Sequence, residues 1–183
     1  MAFVRKIVVG HSGNLGRAHD FETVLGAAER LRNESRIVFL MIGGGKHFEE
    51  LAKANSFRFR PYQEHAMLPH SLGVADAHWV SLRPALEGLI VPSKFYAIAA
   101  AGKPMLMIGD PEGEIGRLIR QHRCGTIIAT GDAATLTDTL RRWSGASEAI
   151  IEMGARARQM LDAQFTRRRA LDQWGRRLAE LLC

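Results

Sequence analysis

"DAHWVSLRPALEGLIVPSKFYAIAAAGKPMLMIGD", residues 76–110, decides the fold class. It opens on an apolar strand pattern at 76–82 and passes through a loop with two prolines. It then enters an alanine-rich helix pattern at 93–102, stops at Gly102, and returns to an apolar strand pattern at 103–109. Gly102 stands where a helix ends in a left-handed residue. Two buried-looking strands joined by a helical crossover are the unit of a parallel sheet.

The same alternation extends in both directions. Strand patterns lie at 3–11, 36–45, 57–62 and 124–130. Helical periodicity appears at 19–34, where Phe21, Val24, Leu25, Ala28 and Leu31 share one face, and again at 46–55, 64–75 (broken), 113–123 and 132–144. The expectation is an α/β, Rossmann-like parallel sheet of about six strands with helices on both faces. Two arginine-rich helices, 147–165 and 167–182, follow the core at 3–144. The last leaves the apolar stripe Leu171, Trp174, Leu178 and Leu181 to be covered. A chain of 183 residues with 46% hydrophobic and 24% charged residues suits one domain with a proper core.

A net charge of +6 suits phosphorylated ligands, nucleic acid or an anionic membrane surface without choosing among them. The two cysteines, Cys124 and Cys183, make neither a zinc pattern nor a disulfide scaffold, which points to a reducing compartment. No apolar run approaches the ~20 residues of a membrane span, and no signal peptide opens the chain. The seven histidines show no metal-ligand spacing, so no metal site is expected. Nor is there a Gly-x-Ser-x-Gly or Cys/His arrangement for nucleophilic catalysis. The arginine runs carry no nucleic-acid motif, and no nucleic acid is expected as a partner.

Open parallel sheets bind ligands beyond the carboxyl ends of their strands, and four such loops are unusual here. "HSGNLGRAHD" (11–20) brings Gly13, Asn14, Gly16 and Arg17. By itself it reads as a glycine turn with a solvated arginine. "IGGGKHFEE" (42–50) is either an amide nest for an anion, helped by Lys46, or a tight strand-to-helix turn. "FRPYQ" (59–63) ends a strand in Pro61, Tyr62 and Gln63, whose backbone groups are free to read a base edge or simply stop the strand. In the opening stretch, Pro92 precedes Ser93, expected to be the helix N-cap, and Lys94 follows it. A lysine at a helix start is mildly unfavourable unless an anion binds there.

In this order the segments resemble the C-terminal, nucleotide-sugar-binding half of GT-B glycosyltransferases of family 4, the group 1 transferases of the bacterial surface-polysaccharide type. The resemblance runs from about Val8 to about residue 142. It implies one half of a GT-B fold, with an N-terminal acceptor domain outside this chain. It implies retaining transfer of a hexosyl group from a nucleotide-diphosphate sugar, of UDP or GDP type, to a lipid-linked or polysaccharide acceptor. No cofactor is implied. Gly13, Asn14, Gly16, Gly88 and Ser93 would hold diphosphate and sugar, and Pro61, Tyr62 and Gln63 the nucleobase. Arg17, Lys94 and Glu87 would carry the catalytic charges. The family's paired glutamates are altered. The second position is Ala97, and Glu87-Gly88 would replace the first if the loop is two residues longer. The fragment alone would be inactive. Its last helix would cross to the partner domain, or be covered by dimerisation. The expected setting is cytoplasmic, at the inner face of the membrane, with peripheral membrane association. A nucleotide-sugar epimerase of the same fold and a non-catalytic nucleotide-binding module are the alternatives.

Overall fold

The computed structural model describes residues 6–54 and 56–182. Its six strands are β1 (Ile7–Asn14), β2 (Ile37–Gly44), β3 (Phe57–Arg60), β4 (Ala77–Ser81), β5 (Met105–Ile108) and β6 (Gly125–Ile128). They form one sheet in the order β3-β2-β1-β4-β5-β6, and every pairing is parallel. The helices are α1 (Glu22–Arg30), α2 (Phe48–Leu51), α3 (Leu68–Gly73), α4 (Lys94–Ala100), α5 (Glu114–His122), α6 (Ala133–Ser144), α7 (Ser147–Gln164) and α8 (Arg167–Leu182). The sheet of about six strands expected from the sequence is therefore present. Of its expected first strand, residues 3–5 lie outside the described residues.

The all-apolar run of β5 follows from burial on both faces. In β5, Leu106 and Ile108 join Val9, Phe39 and Trp79 in a core closed by α1 and α6. Their neighbours Met105 and Met107 point the other way, into a second core with Phe95, Ile98, Ile119 and Met160. Each such side chain contributes roughly 1.5–3 kcal/mol on full burial, so a sheet buried on both faces holds itself between two cores.

Gly102 ends α4 as expected. At φ +64° it lets the Gly102 amide donate to Ala99 O and the Lys103 amide to Ile98 O, the paired bonds of a Schellman stop. Helix α5 stops in the same way, but there the left-handed residue is Arg123 (φ 50°), which lacks glycine's freedom. Helix α7 packs on the α4 end of the sheet through Gly154, where a Cβ would run into the Gly102 carbonyl.

Two local details depart from the sequence reading. Strand β1 continues to Asn14 rather than ending at His11, because the glycine end of β2 pairs with it, Gly13 against Gly43 and Asn14 against Gly44. Ser93 is not a side-chain cap. Its backbone is already helical (φ −57°, ψ −23°) and its hydroxyl makes no capping bond. The Phe95 and Tyr96 amides donate to Pro92 O and Ser93 O instead, so the first turn is closed by main chain. The stripe of α8 is uncovered: Leu171, Trp174, Leu178 and Leu181 are 52–82% exposed. Among the described residues, no helix is long and apolar enough to cross a membrane.

Candidate functional site

The strand order reverses between β1 and β4, whose connections leave the sheet in opposite directions. Such a switch point opens a crevice beyond the strand ends. A cleft of about 310 Å³ lies there, and Gly13, Tyr62, Gln63, Ser93 and Lys94 all line it. Three separate loops of the sequence reading thus meet at one place. Leu68, Leu72 and Ile98 supply an apolar wall, and Ala97 stands among the lining residues where the resembled family carries an acid.

Of the glycines at the rim, Gly43 and Gly45 are there because backbones touch. Gly13 (φ +111°) and Gly43 (φ +130°) are both in the left-handed half of backbone space. A Cβ on Gly43 would collide with the Gly13 carbonyl, and one on Gly45 would come within 2.7 Å of the Leu15 carbonyl. The Tyr62 ring lies 3.1 Å from where a Gly44 Cβ would be. Of the two readings of "GGG", a tight packed turn fits this geometry, and Lys46 beside it is exposed.

Lys94 crosses above Gly13, its Cε 2.9 Å from the position of a Gly13 Cβ. Its Nζ donates to Asn14 O at 3.2 Å and meets His19 Nε2 at 3.3 Å. The other nitrogen of His19 lies 2.9 Å from Ser81 O. A carbonyl can only accept, so Nδ1 carries the proton and Nε2 offers a lone pair to the ammonium. Burial pulls Lys94 below the usual lysine range. It also lowers His19, with the Lys94 charge adding to the effect. Beneath them His11 is 1% exposed and stacks near Trp79, ring centroids 4.3 Å apart. Burial first, then Lys94 and His19, hold His11 well below the ordinary histidine value.

Among the remaining expected residues, Asn14 touches Lys94. Asn14 contributes its carbonyl, while its side chain is exposed. Gly16 accepts from the His19 amide and so shapes the turn. Arg17 is exposed on that turn. The carbonyl of Pro61, expected to be free, accepts from Gln63 Nε2 at 2.9 Å. Glu87 does not line the cleft. Its carboxyl lies over Gly113, at the start of α5, where burial and then the Asp110 carboxylate raise its pKa. Gly88 follows at φ +78° in open space. The residue whose contact sequence reasoning missed is His19. Its partner is a main-chain carbonyl, and Ser81 O has no sequence signature.

The comparisons agree with this architecture. No family model matches the chain. The putative colanic acid biosynthesis glycosyl transferase WcaI of Escherichia coli (strain K12) is 33% identical over 119 residues, which cover 62% of this chain and 29% of that protein. The probable glycosyltransferase WbjE of Pseudomonas aeruginosa is 31% identical over 130 residues, 68% of this chain and 32% of its own. The chain thus spans about a third of the length of the curated relatives it matches.

Among solved structures, sucrose-phosphate synthase from Thermosynechococcus elongatus superposes with a TM-score of 0.79 at 17% identity, covering 99% of this chain and 47% of that one. The C-terminal domain of a group 1 glycosyl transferase, LpcC of Francisella tularensis, gives 0.71 at 12% identity, over 89% of this chain and 88% of that domain. Anabaena HepE, crystallised with UDP and glucose, gives 0.73 at 15% identity, over 97% and 48%. At these identities the structural likeness speaks for the fold. In sequence and fold together, the chain resembles the C-terminal half of GT-B, group 1 glycosyltransferases.

Proposed function

We propose that this chain is the nucleotide-sugar-binding part of a glycosyltransferase that moves a hexosyl group, with retention, from a nucleotide-diphosphate sugar to a lipid-linked or polysaccharide acceptor. The observation that carries the reading is the Lys94 ammonium. It lines the switch-point cleft, and among the described residues its hydrogen bonds go to Asn14 O and His19 Nε2, both uncharged. A half-buried cation without a carboxylate is suited to an anionic ligand, and a diphosphate has the charge and size for it.

In this reading the nucleoside lies along the apolar wall, with Tyr62 and Gln63 at the base. The diphosphate faces Lys94, with Gly13 and Ser93 beside it. As the glycosidic C–O bond breaks, negative charge grows on the departing diphosphate. A lysine fixed in a partly buried site stabilises that charge without reorganising. Glu87 and Gly88 stand outside the cleft lining, and the reading assigns them no contact with the sugar. The acceptor is held by a part of the enzyme that corresponds to the relatives' length outside the matched region. The chain alone then binds nucleotide and turns nothing over. Relatives that are glycosyltransferases, and a fold neighbour crystallised with UDP and glucose, support the donor class.

Calorimetric titration with UDP, GDP and ADP, wild type against Lys94→Ala, tests this. We expect UDP or GDP binding that weakens roughly tenfold or more without the lysine, in line with a charge-assisted bond. No binding of either nucleotide, or binding indifferent to Lys94, overturns the assignment. Turnover by the 183-residue chain alone overturns the division of labour.

A further inference from the structure

We propose that His19 is a positioning residue, holding the Lys94 ammonium over Gly13 at the rim of the cleft in the orientation that meets the ligand. This rests on the reading that the cleft takes a nucleoside diphosphate. An ammonium has three hydrogens. Asn14 O and His19 Nε2 account for two, at 3.2 and 3.3 Å, and one remains for a ligand oxygen.

Both acceptors are neutral, so they direct the amine without cancelling its charge. A carboxylate in place of the histidine would hold Lys94 as firmly and neutralise it. The ring is itself anchored. Its Nδ1–H donates to Ser81 O at 2.9 Å, and the Arg83 amide donates to the carbonyl of the preceding residue, Ala18, at 3.0 Å. Two bonds thus tie the β1–α1 loop to the end of β4. His11 closes the far side of the ring, edge-on at 5.8 Å. The imidazole has little room to turn, and its free lone pair is committed to Lys94.

The test is a double-mutant cycle on UDP affinity, with histidine NMR beside it. His19→Ala should weaken UDP binding about tenfold, the scale of one hydrogen bond to a charged group. His19→Gln, which keeps a neutral acceptor at similar reach, should recover most of the loss. His19→Glu should bind as poorly as His19→Ala despite retaining an acceptor. In a Lys94→Ala background, His19→Ala should cost nothing further. An equal loss in that background shows that His19 acts on the ligand or the fold directly, and the inference falls. Nitrogen-15 NMR of the unliganded chain should find His19 as the Nδ1–H tautomer, with an Nε2 resonance that moves on Lys94→Ala. An Nε2–H tautomer overturns the inference whether or not UDP binds. If the wild type binds no UDP while NMR finds the Nδ1–H tautomer and the Lys94-dependent shift, the positioning stands and the proposed function falls.

Discussion

Replacing His78 by leucine should remove a defined share of the protein's acid sensitivity. His78 is 1% exposed, donates through Nε2 to Leu72 O at 2.9 Å, and turns Nδ1 toward Gly10, 2.8 Å from where a Cβ would stand. Burial drives its pKa from 6.5 down to about 4, with Lys103 adding to the effect. Between those values the unfolded chain binds one more proton than the folded chain at this site, so stability rises with pH across the window and falls as the pH drops. The slope is about 1.4 kcal/mol per pH unit, and over the window it amounts to about 3 kcal/mol. Below about 4 both states are protonated and this contribution stops changing.

His78→Leu removes that proton but leaves Leu72 O without its donor, which costs ~1–3 kcal/mol at neutral pH. Urea titrations from neutral to acid pH should therefore show the variant less stable near pH 7 and the gap closing, then reversing, as pH falls. His19, lowered by burial and Lys94, titrates in either protein and cancels in the difference, while His11 is lowered chiefly by burial and feels His78 only as the last of its causes. If the two stability curves run parallel through the window, His78 is not the group responsible and the reasoning is refuted.

Gly154→Ala sets a methyl against the Gly102 carbonyl and should push α7 from α4, costing ~1–3 kcal/mol in a denaturation midpoint; an unchanged midpoint would show that the contact yields freely. Arg123→Gly relieves a left-handed arginine at the end of α5 and should stabilise by up to ~1 kcal/mol, visible as a higher Tm. Gly13→Ala meets both a φ of +111° and the Lys94 side chain. It should lower stability by ~1–3 kcal/mol and weaken UDP binding together, and loss of one without the other would separate the rim from the cleft.

The architecture was legible because its signal is redundant. Six strand patterns, most of them apolar and each followed by a helix pattern, allow few arrangements, and short parallel connections fix the rest. Gly102 could be read as a stop because a left-handed residue is cheap only for glycine; Arg123 could not, since nothing in its side chain announces that backbone. Ser93 looked like a cap from its type and place, yet the chain had already entered a helical turn at that residue. At the cleft, Gly13, Tyr62, Gln63, Ser93 and Lys94 were found because loops at strand ends must converge. The fine contacts depended on main chain. Asn14 O, Ser81 O and Pro61 O belong to residues whose identity says nothing about where their carbonyls point. Glu87 was misleading for the opposite reason: a carboxylate in a loop draws attention, and its neighbour proved to be the start of α5.

The contact between Gly13 and Gly43 has a consequence for how the chain finds its fold. Sliding β2 along β1 by one residue would bring Ile42 or Gly44 opposite Gly13, and Ile42 would set its Cβ against the Gly13 carbonyl, where Gly43 fits because it has none. The slipped pairing would also turn every buried residue of β2 to the opposite core. The glycine contact therefore marks the alignment against one slip, and the two-faced burial of β2 marks it against both.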